Sequence, residues 1–148
     1  MEINRKAPVI ASVETVIDAP VERVWEVLTA IRDWPSWNPA VTSVSMLGEF
    51  VPGTDFHWKA DGVMIISTLQ EIDLHQRIVW TGRIPFIRAI HVWTFEERDG
   101  KTLVHNDESF QGWLAWLLSG PFTRMLAASL EKGLQSLKRA CEGGGKGD

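Results

Sequence analysis

Six short runs rich in apolar and β-branched residues follow one another without an intervening helical pattern, and they constrain the fold more than any other feature. In order they read AVTSVSML, TDFHWKA, VMIISTLQEI, RIVWTGR, IRAIHVWTFEE and TLVHNDESF. Pro52-Gly53, Asp61-Gly62 and Asp99-Gly100 supply tight turns, and connections this short join antiparallel neighbours. The pattern therefore predicts an antiparallel meander of six strands.

One further strand and a short helix precede this meander. The run VIASVETVIDA alternates with period two, which predicts a strand that ends near Asp18. Pro20 suits the first turn of the helix that follows. Four apolar residues recur at helical spacing and predict the buried face of this helix: Val21, Val24, Trp25 and Leu28.

A long helical pattern follows the meander. It runs from Trp113 to Cys141, which corresponds to a length on the order of 40 Å, and Pro121 either opens the main helix or bends it. One face carries Phe122, Met125, Leu126, Ser129, Leu130, Gly133, Leu134 and Leu137. Such a helix must lie along the sheet, and we expect a cavity where the two diverge. Residues 142–148, EGGGKGD, are predicted to form a flexible tail.

Composition and charge exclude several classes of function. The 148 residues fit one domain, and the net charge of -4 gives no basic footprint for nucleic acid. The lone Cys141 cannot form an internal disulfide, and MEINRKAPVIA lacks the apolar run of a secretory signal, so a cytoplasmic location is expected. Ser119-Gly120-Pro121 and Arg124 interrupt WLAWLLSGPFTRMLAASL, which argues against an integral membrane segment.

Four stretches of the sequence together resemble one known family. They are IDAPVERVWEVLTAIRDWPSWNP, RIVWTGR, HVWTFEERDGKTLVHNDESFQG and LEKGLQSLKRACE, and the likeness extends from about Pro8 to Cys141. They resemble the START-like (SRPBCC) superfamily, in its polyketide cyclase/dehydrase and lipid-transport branch. The resemblance implies a single START-like domain over residues 1–148, with a core from about residue 8 to residue 141.

The fold that the resemblance implies is an α+β helix-grip fold. In it, a curved antiparallel sheet of about seven strands wraps around a long C-terminal helix and leaves an internal apolar cavity. Members of the superfamily bind lipids, sterols, plant hormones or polyketides, and some of them catalyse reactions. The resemblance implies a hydrophobic small-molecule ligand, and the fold alone does not choose between binding and catalysis.

The hairpin at Asp99-Gly100 predicts which side chains face the cavity. If this dipeptide forms the two-residue turn that its chemistry favours, Arg98 pairs with Lys101 and the other cross-strand pairs follow. The pairs on one face are Phe95 with Val104, Trp93 with Asn106 and His91 with Glu108. We assign this face to the interior because it carries the large aromatic side chains. A three-residue turn or a bulge would undo the pairing.

His91 and Glu108 are then neighbours in an otherwise apolar hollow, with Asn106 nearby. A carboxylate raises the pKa of an adjacent imidazole, whereas desolvation opposes charge on both groups, so a neutral pair and an ionic pair are both open. Three roles fit the pair: a polar anchor for a ligand carbonyl or hydroxyl, a mutually satisfied structural pair, or an acid/base pair for enolisation or dehydration. Both residues are candidates for catalysis, and we assign neither of them firmly to it.

The chain has eight Trp and no Tyr, and four of the Trp divide between the wall and the mouth of the predicted cavity. Trp58 and Trp80 face inward by strand alternation, as core residues or as cavity wall. Trp34 and Trp37 lie in DWPSWNPA, a segment too broken for a helix or a strand, and they form a lid or mouth. For Trp34 we favour the alternative in which the ring plugs the core beneath the segment.

Other residues border the predicted opening. Trp113 and Trp116 would cover it from the helix side. Arg83, near the end of its strand, either meets an acidic ligand group at the mouth or is solvated. The predicted ligand-binding residues are Trp34, Trp37, Trp58, Trp80, Arg83, His91, Trp93, Asn106, Glu108 and Trp113.

The sequence predicts neither a metal nor a cofactor. The four histidines form no close ligand motif, and there is no glycine-rich phosphate loop or nucleophile elbow. The leading hypothesis is a cytoplasmic protein that binds a hydrophobic or aromatic small molecule, lipid- or polyketide-like, in its cavity. One alternative is a polyketide cyclase/dehydratase-type enzyme that uses His91 and Glu108. The second alternative is a co-chaperone-like protein-interaction module.

Overall fold

Seven antiparallel strands form one sheet in the computed structural model, which describes residues 1–143. The strands are β1 (Val9–Ile17), β2 (Val41–Met46), β3 (Asp55–Ala60), β4 (Val63–Asp73), β5 (Arg77–Ile84), β6 (Ile87–Arg98) and β7 (Lys101–Gln111). Their order in the sheet is β1-β7-β6-β5-β4-β3-β2. The predicted six-strand meander is confirmed, and β1 joins the sheet beside the last of its strands.

Within residues 1–143, four α-helices accompany the sheet: α1 (Val21–Thr29), α2 (Trp34–Trp37), α3 (Trp113–Leu117) and α4 (Ser119–Gly143). The four residues predicted for the inner face of α1 are buried: Val21, Val24, Trp25 and Leu28. The α1 backbone begins after Pro20, and the carboxylate of Glu97 accepts a hydrogen bond from the N–H of Val21 at 2.9 Å. The curved sheet holding a long C-terminal helix is the predicted helix-grip architecture.

Two predictions about helices were wrong. The segment DWPSWNPA is not irregular, because a 3-10 turn (Ile31–Asp33) leads directly into α2. Pro35 lies in the first turn of α2, where the missing N–H costs no helical hydrogen bond. The helix expected from Trp113 to Cys141 is interrupted at Leu118, so α3 and α4 are separate. Pro121 therefore lies in the opening turn of α4, which agrees with the first of the two roles predicted for it.

The buried face of α4 divides between two apolar clusters. Leu134, Leu137 and Cys141 join the main core, together with residues of α1, α2 and the sheet. Leu126 and Leu130 pack instead against the start of β1. Burial raises the pKa of the Cys141 thiol to about 12, so this residue is an unreactive core side chain.

The C-terminal end of α4 is also held to β1 by polar contacts. Lys138 Nζ donates a hydrogen bond to the carbonyl oxygen of Val16 at 2.7 Å. The carboxylate of Glu142 accepts one from the N–H of Asp18 at 2.8 Å, and it pairs with Lys138. Residues 142 and 143 thus belong to the helix rather than to the predicted flexible tail, and residues 144–148 lie outside the described part of the chain.

The last hairpin adopts the predicted register. Asp99 and Gly100 both have positive φ, 54° and 79°, as a two-residue type I′ turn requires. Arg98 pairs with Lys101, and the three inward pairs form as expected: Phe95 with Val104, Trp93 with Asn106 and His91 with Glu108.

The outer face of the sheet is less exposed than the alternation of residues suggested. Ile3 is buried against Val79 and Val92, so the N-terminal segment covers this part of the sheet. The packed region therefore begins before residue 8, where the core was expected to start. This contact is not predictable from the sequence, because a single isoleucine near the N-terminus carries no periodic signal.

Candidate functional site

The inner face of the sheet, α2 and α4 surround a cavity of about 400 Å³. Its lining extends from buried residues such as Trp80 and Asn106 to exposed residues at one end of the sheet. The exposed residues belong to the β3–β4 hairpin and to the first turns of α4, represented by Val63 and Met125. The cavity thus has a buried inner part and a mouth at this end of the sheet.

Aromatic rings form much of the wall. Trp34 lies edge-on to Trp58, with ring centroids 5.2 Å apart, and is 5.5 Å from Trp80. Its indole Nε1 donates a hydrogen bond to the carbonyl oxygen of Leu28 at 2.8 Å, and its side chain is buried. Trp34 is therefore held in place between the core and the cavity. This position is the one favoured above, in which the ring plugs the core beneath its segment.

The aromatic rings enclose a space that is left open by small side chains. Gly82 and Ala89 are directly opposed on β5 and β6, and both line the cavity. A Cβ at Gly82 would come to 3.9 Å from the Cβ of Ala89, so there is room for little more than a methyl group between them. Because Trp80 and His91 form the next inward pair, the cavity widens from its aromatic inner part toward its mouth.

Three polar side chains meet at the inner part of this apolar cavity. His91 Nε2 lies 2.5 Å from Asn106 Oδ1, and His91 Nδ1 lies 3.6 Å from Glu108 Oε1. The amide oxygen of Asn106 can only accept, so Nε2 of His91 carries the proton. In a neutral imidazole this leaves the lone pair of Nδ1 facing Glu108.

Desolvation determines the charge of this group. Burial raises the pKa of Glu108 to about 8. Burial lowers the pKa of His91 to about 4, although the hydrogen bond to Asn106 acts in the opposite direction. The attraction between two charged partners is the smaller effect, because the side chains are only 9% and 14% exposed and are too far apart for a direct hydrogen bond. At neutral pH the pair is therefore a carboxylic acid beside a neutral imidazole.

Two cavity-lining indoles carry buried N–H groups without a hydrogen-bond partner among residues 1–143. These are Trp37 Nε1 and Trp93 Nε1. A buried donor left unpaired costs about 1 to 3 kcal/mol.

The structure brings most of the predicted ligand-binding residues to the cavity lining: Trp34, Trp37, Trp58, Trp80, Arg83, His91, Trp93, Asn106 and Glu108. Trp113 is not among the lining residues; it is 60% exposed and contacts the ring of Phe86. Arg83 borders the mouth, but the register places it on the same strand face as Val79, away from the cavity. Its guanidinium therefore extends from the rim toward solvent.

Part of the lining escaped the sequence analysis although its signal was available. Ala89 and Ile87 share the inward face of β6 with His91, and Phe110 shares the inward face of β7 with Glu108. Continuing the same alternation past His91 would have identified all three. The lining residues of β4 had a signal too, because the two-residue turn at Asp61-Gly62 places Ile65 opposite Trp58 and Ser67 opposite Phe56.

Two further properties of the described residues bear on function. No three His, Cys, Asp or Glu side chains within residues 1–143 are grouped so that they could hold a metal ion. None of the helices in this part of the chain combines the length and the apolar character needed to cross a membrane.

A seven-stranded antiparallel sheet that grips a long C-terminal helix over an internal cavity defines a START-like protein. The chain belongs to the polyketide cyclase/dehydrase and lipid transport family, whose model matches residues 8–142. No curated protein sequence shows significant similarity to it. The family assignment agrees with the resemblance found in the sequence.

Solved structures share this fold at low sequence identity. The chain is similar to the hypothetical protein jhp0584 from Helicobacter pylori, with a TM-score of 0.82 and 16% identity over 93% of this chain and 90% of that one. A START superfamily protein from Mycobacterium smegmatis gives 0.63 and 15%, covering 86% and 98%. The di-domain ARO/CYC protein BexL from the BE-7585A biosynthetic pathway gives 0.69 and 21%, covering 93% of this chain and 52% of BexL.

Proposed function

We propose that this protein binds a hydrophobic or aromatic small molecule, lipid- or polyketide-like, in its internal cavity. The observation that carries the proposal is an apolar cavity of about 400 Å³ that ends in one compact polar group. This volume lies in the range of pockets that enclose drug-sized ligands, about 300 to 1,000 Å³. The family, which is described by polyketide cyclisation, dehydration and lipid transport, supports the same class of ligand.

The polar group selects the chemistry of the ligand. A protonated Glu108 offers an O–H donor and a carbonyl acceptor, and Nδ1 of His91 offers a second acceptor. A ligand carbonyl or hydroxyl at this position forms hydrogen bonds, whereas a hydrocarbon leaves these groups unpaired. An ionised carboxylate is disfavoured there, because the same desolvation that keeps Glu108 neutral acts on the ligand. The preferred ligand is therefore flat or chain-like, largely apolar, and carries an uncharged oxygen.

Displacement of a neutral fluorescent probe, N-phenyl-1-naphthylamine, tests this proposal. The probe should bind at one saturable site and quench tryptophan emission, because Trp34, Trp58 and Trp80 border the cavity. 2-Naphthol should displace it at lower concentration than naphthalene, which has the same rings without the oxygen. If no apolar compound changes the emission or the melting temperature at high micromolar concentration, the protein has no ligand-binding function of this kind.

A second candidate function is dehydration of a β-hydroxy carbonyl compound. The observation that favours it is the contact between an acid and a base, since Nδ1 of His91 lies 3.6 Å from the carboxyl of Glu108. His91 would take the proton from the carbon next to the carbonyl while Glu108 protonates the departing hydroxyl, which leaves as water. Transfer of the proton from His91 to Glu108 would restore both groups. Mass spectrometry of a β-hydroxy ketone incubated with the protein tests this directly, because the reaction removes one water.

A further inference from the structure

The surface around the cavity mouth is unusually apolar. Six of its residues, called the mouth patch here, are large and exposed: Phe86, Trp113, Trp116, Leu117, Leu118 and Met125. Trp116 and Leu117 are 67% and 68% exposed, which is rare for side chains of this size on a protein surface. Met125 also lines the cavity, so the mouth patch is continuous with the opening.

The short helix α3 presents this surface by its spacing. Trp113, Trp116 and Leu117 stand at positions i, i+3 and i+4, and they therefore share one helix face. Ala115, on the other side, is fully buried against the body of the protein. The exposed face of α3 thus has no polar residue, although an ordinary surface helix carries its polar residues on that face.

The tip of the β5–β6 hairpin adds an aromatic ring at a conformational cost. Phe86 has φ of +69°, a left-handed conformation that follows Pro85 as in a type II turn, where glycine is the usual residue. A bulky residue with positive φ is an outlier, and such strain tends to occur at functional positions. The other non-glycine residues with positive φ in the described part of the chain are Asp61, His75 and Asp99, whose residue types adopt this conformation more readily than phenylalanine does. We therefore infer that the contacts of the Phe86 ring account for a phenylalanine at this strained position.

Gly112 joins this hairpin tip to α3. It has φ of +116°, and a Cβ at this position would overlap the carbonyl oxygen of Phe86. The absence of a side chain lets the start of α3 approach the hairpin closely, so the rings of Phe86 and Trp113 pack with centroids 5.3 Å apart. The two elements form one continuous apolar surface.

The charges around this surface are mostly positive, with Asp61 in the β3–β4 turn as an acidic residue at the mouth. Residues 83–90 and 112–130 contain Arg83, Arg88 and Arg124 and no acidic residue. All three side chains are exposed, and Arg83 is directly opposed to Arg88 across β5 and β6, an arrangement of like charges that an anionic partner would relieve. Exposed Arg5 and Lys6 lie at the same end of the sheet, because Asn4 beside them hydrogen-bonds Gln111 at the end of β7.

The opposite end of the sheet has a different composition. Its turns and strand ends carry five carboxylates, Asp18, Asp73, Glu96, Glu97 and Asp99, beside three cations, Arg77, Arg98 and Lys101. The net charge of -4 is therefore distributed unevenly, because carboxylates outnumber cations at this end, whereas cations outnumber carboxylates around the mouth patch. A negatively charged, extended apolar surface complements only the mouth end of this molecule.

We propose that the mouth patch docks on the surface of an anionic lipid bilayer, with α3 and the hairpin tip in the interfacial region and the cavity opening toward the lipid. Tryptophan side chains favour the boundary between headgroups and hydrocarbon, and the surrounding arginines pair with anionic headgroups. A globular protein partner would instead need an exposed apolar surface that matches the mouth patch and acidic side chains that match the surrounding arginines. Docking does not require a ligand; passage of a ligand between membrane and cavity rests in addition on the proposed function.

Vesicle co-sedimentation of the full chain tests the docking without any ligand. The protein should sediment with vesicles of phosphatidylcholine containing about a third phosphatidylglycerol, and much less with phosphatidylcholine alone. Trp116→Ser combined with Leu117→Ser should reduce binding by about tenfold or more. Leu74→Ser is the matched control, because Leu74 is 64% exposed on a turn at the opposite end of the sheet, and it should bind as the unchanged protein does.

Two further variants separate docking from folding. Phe86→Asn should keep or raise the melting temperature, because asparagine tolerates positive φ, and should weaken vesicle binding. Arg88→Glu with Arg124→Glu should weaken binding to anionic vesicles by about tenfold or more, whereas Lys101→Glu at the opposite turn should not. The proposal is overturned if the protein does not sediment with anionic vesicles, or if these variants sediment equally well. It is also overturned if the protein self-associates and the same substitutions abolish that association, since the mouth patch would then be a contact between copies.

Discussion

His91 and Glu108 face each other across β6 and β7, with Nδ1 3.6 Å from Oε1, inside a cavity whose other walls are mainly apolar. The two groups that ionise most readily at this site are thus the two from which burial removes the charge. His91→Ala and Glu108→Leu should each weaken binding of 2-naphthol by about tenfold, while binding of naphthalene stays nearly constant, because only 2-naphthol forms a hydrogen bond with these side chains. The ratio of the two dissociation constants is the quantity to measure. Asp107→Asn, the neighbouring carboxylate on the outer face, is the control and should leave the ratio unchanged.

Stability should depend on pH through Glu108. Its folded pKa of about 8 lies above the ordinary value of 4.5, so the folded state holds a proton that the unfolded state releases between these values. The contribution of this proton is fully present below pH 4.5 and is lost as pH rises toward about 8. Glu108→Gln lacks this titration, so its free energy of unfolding, relative to that of the unchanged protein, should rise across this range. Denaturant midpoints at several pH values measure the difference, and a constant difference would show that Glu108 is already ionised in the folded protein.

His91 should make the stability depend on pH in the acid range. Its folded pKa of about 4 lies below the ordinary value of 6.5, so the stability that its neutral form contributes is present above pH 6.5 and is lost as pH falls toward about 4. Together with Glu108, this predicts a broad stability maximum between roughly pH 4.5 and 6.5 from the pair. His91→Gln should flatten the acid side of the curve and leave the alkaline side in place. A loss of the alkaline slope in this variant would mean that the two groups titrate as an ion pair.

Filling the cavity should block the ligand without unfolding the protein. Ala89→Phe directs a ring into the open part of the cavity, because Ala89 lies on the inward face of β6 and lines the cavity. The variant should bind N-phenyl-1-naphthylamine at least about tenfold more weakly and keep its melting temperature within a few degrees. The exposed outer-face substitution Arg88→Phe, on the adjacent position of the same strand, is the control for strand propensity. If Ala89→Phe still binds the probe normally, the probe site lies elsewhere.

Substitution of a leucine in α4 tests which face of this helix is buried. Leu134 is fully buried in the main core, so Leu134→Ala should cost about 2 to 5 kcal/mol of the free energy of unfolding. Lys132→Ala, on the exposed face of the same helix, should change it by less than about 0.5 kcal/mol. Urea denaturation monitored by tryptophan fluorescence gives both values.

The sequence predicted those features that depend on local chemistry repeated along the chain. Strand alternation and turn dipeptides were sufficient for the order of the elements, and Asp99-Gly100 alone was sufficient for the register that pairs His91 with Glu108. This worked because a two-residue turn with two positive φ values permits one register only. The inward face of α1 followed in the same way from its helical spacing.

The features that depend on tertiary contacts were not predictable. The interruption of the helix at Leu118 and the outward direction of Trp113 arise where α3 packs against the β5–β6 hairpin, a contact that Gly112 makes possible and that no periodicity reveals. The short helix of DWPSW forms because Trp34 is held by Leu28 and the aromatic wall. The cavity volume follows from Gly82 meeting Ala89 across two strands, which requires the full register of the sheet.

The long helix α4 is held very unequally at its two ends. Its C-terminal part is tied to β1 by Lys138 and Glu142 and is packed in the main core, whereas its first turns border the cavity and carry the exposed Met125. Amide hydrogens in these first turns should therefore exchange with solvent deuterium much faster than those near Leu134 and Leu137, and a bound ligand should slow the fast group alone. We therefore expect a ligand to enter where the first turns of α4 border the mouth, while the C-terminal part of the helix holds the fold together.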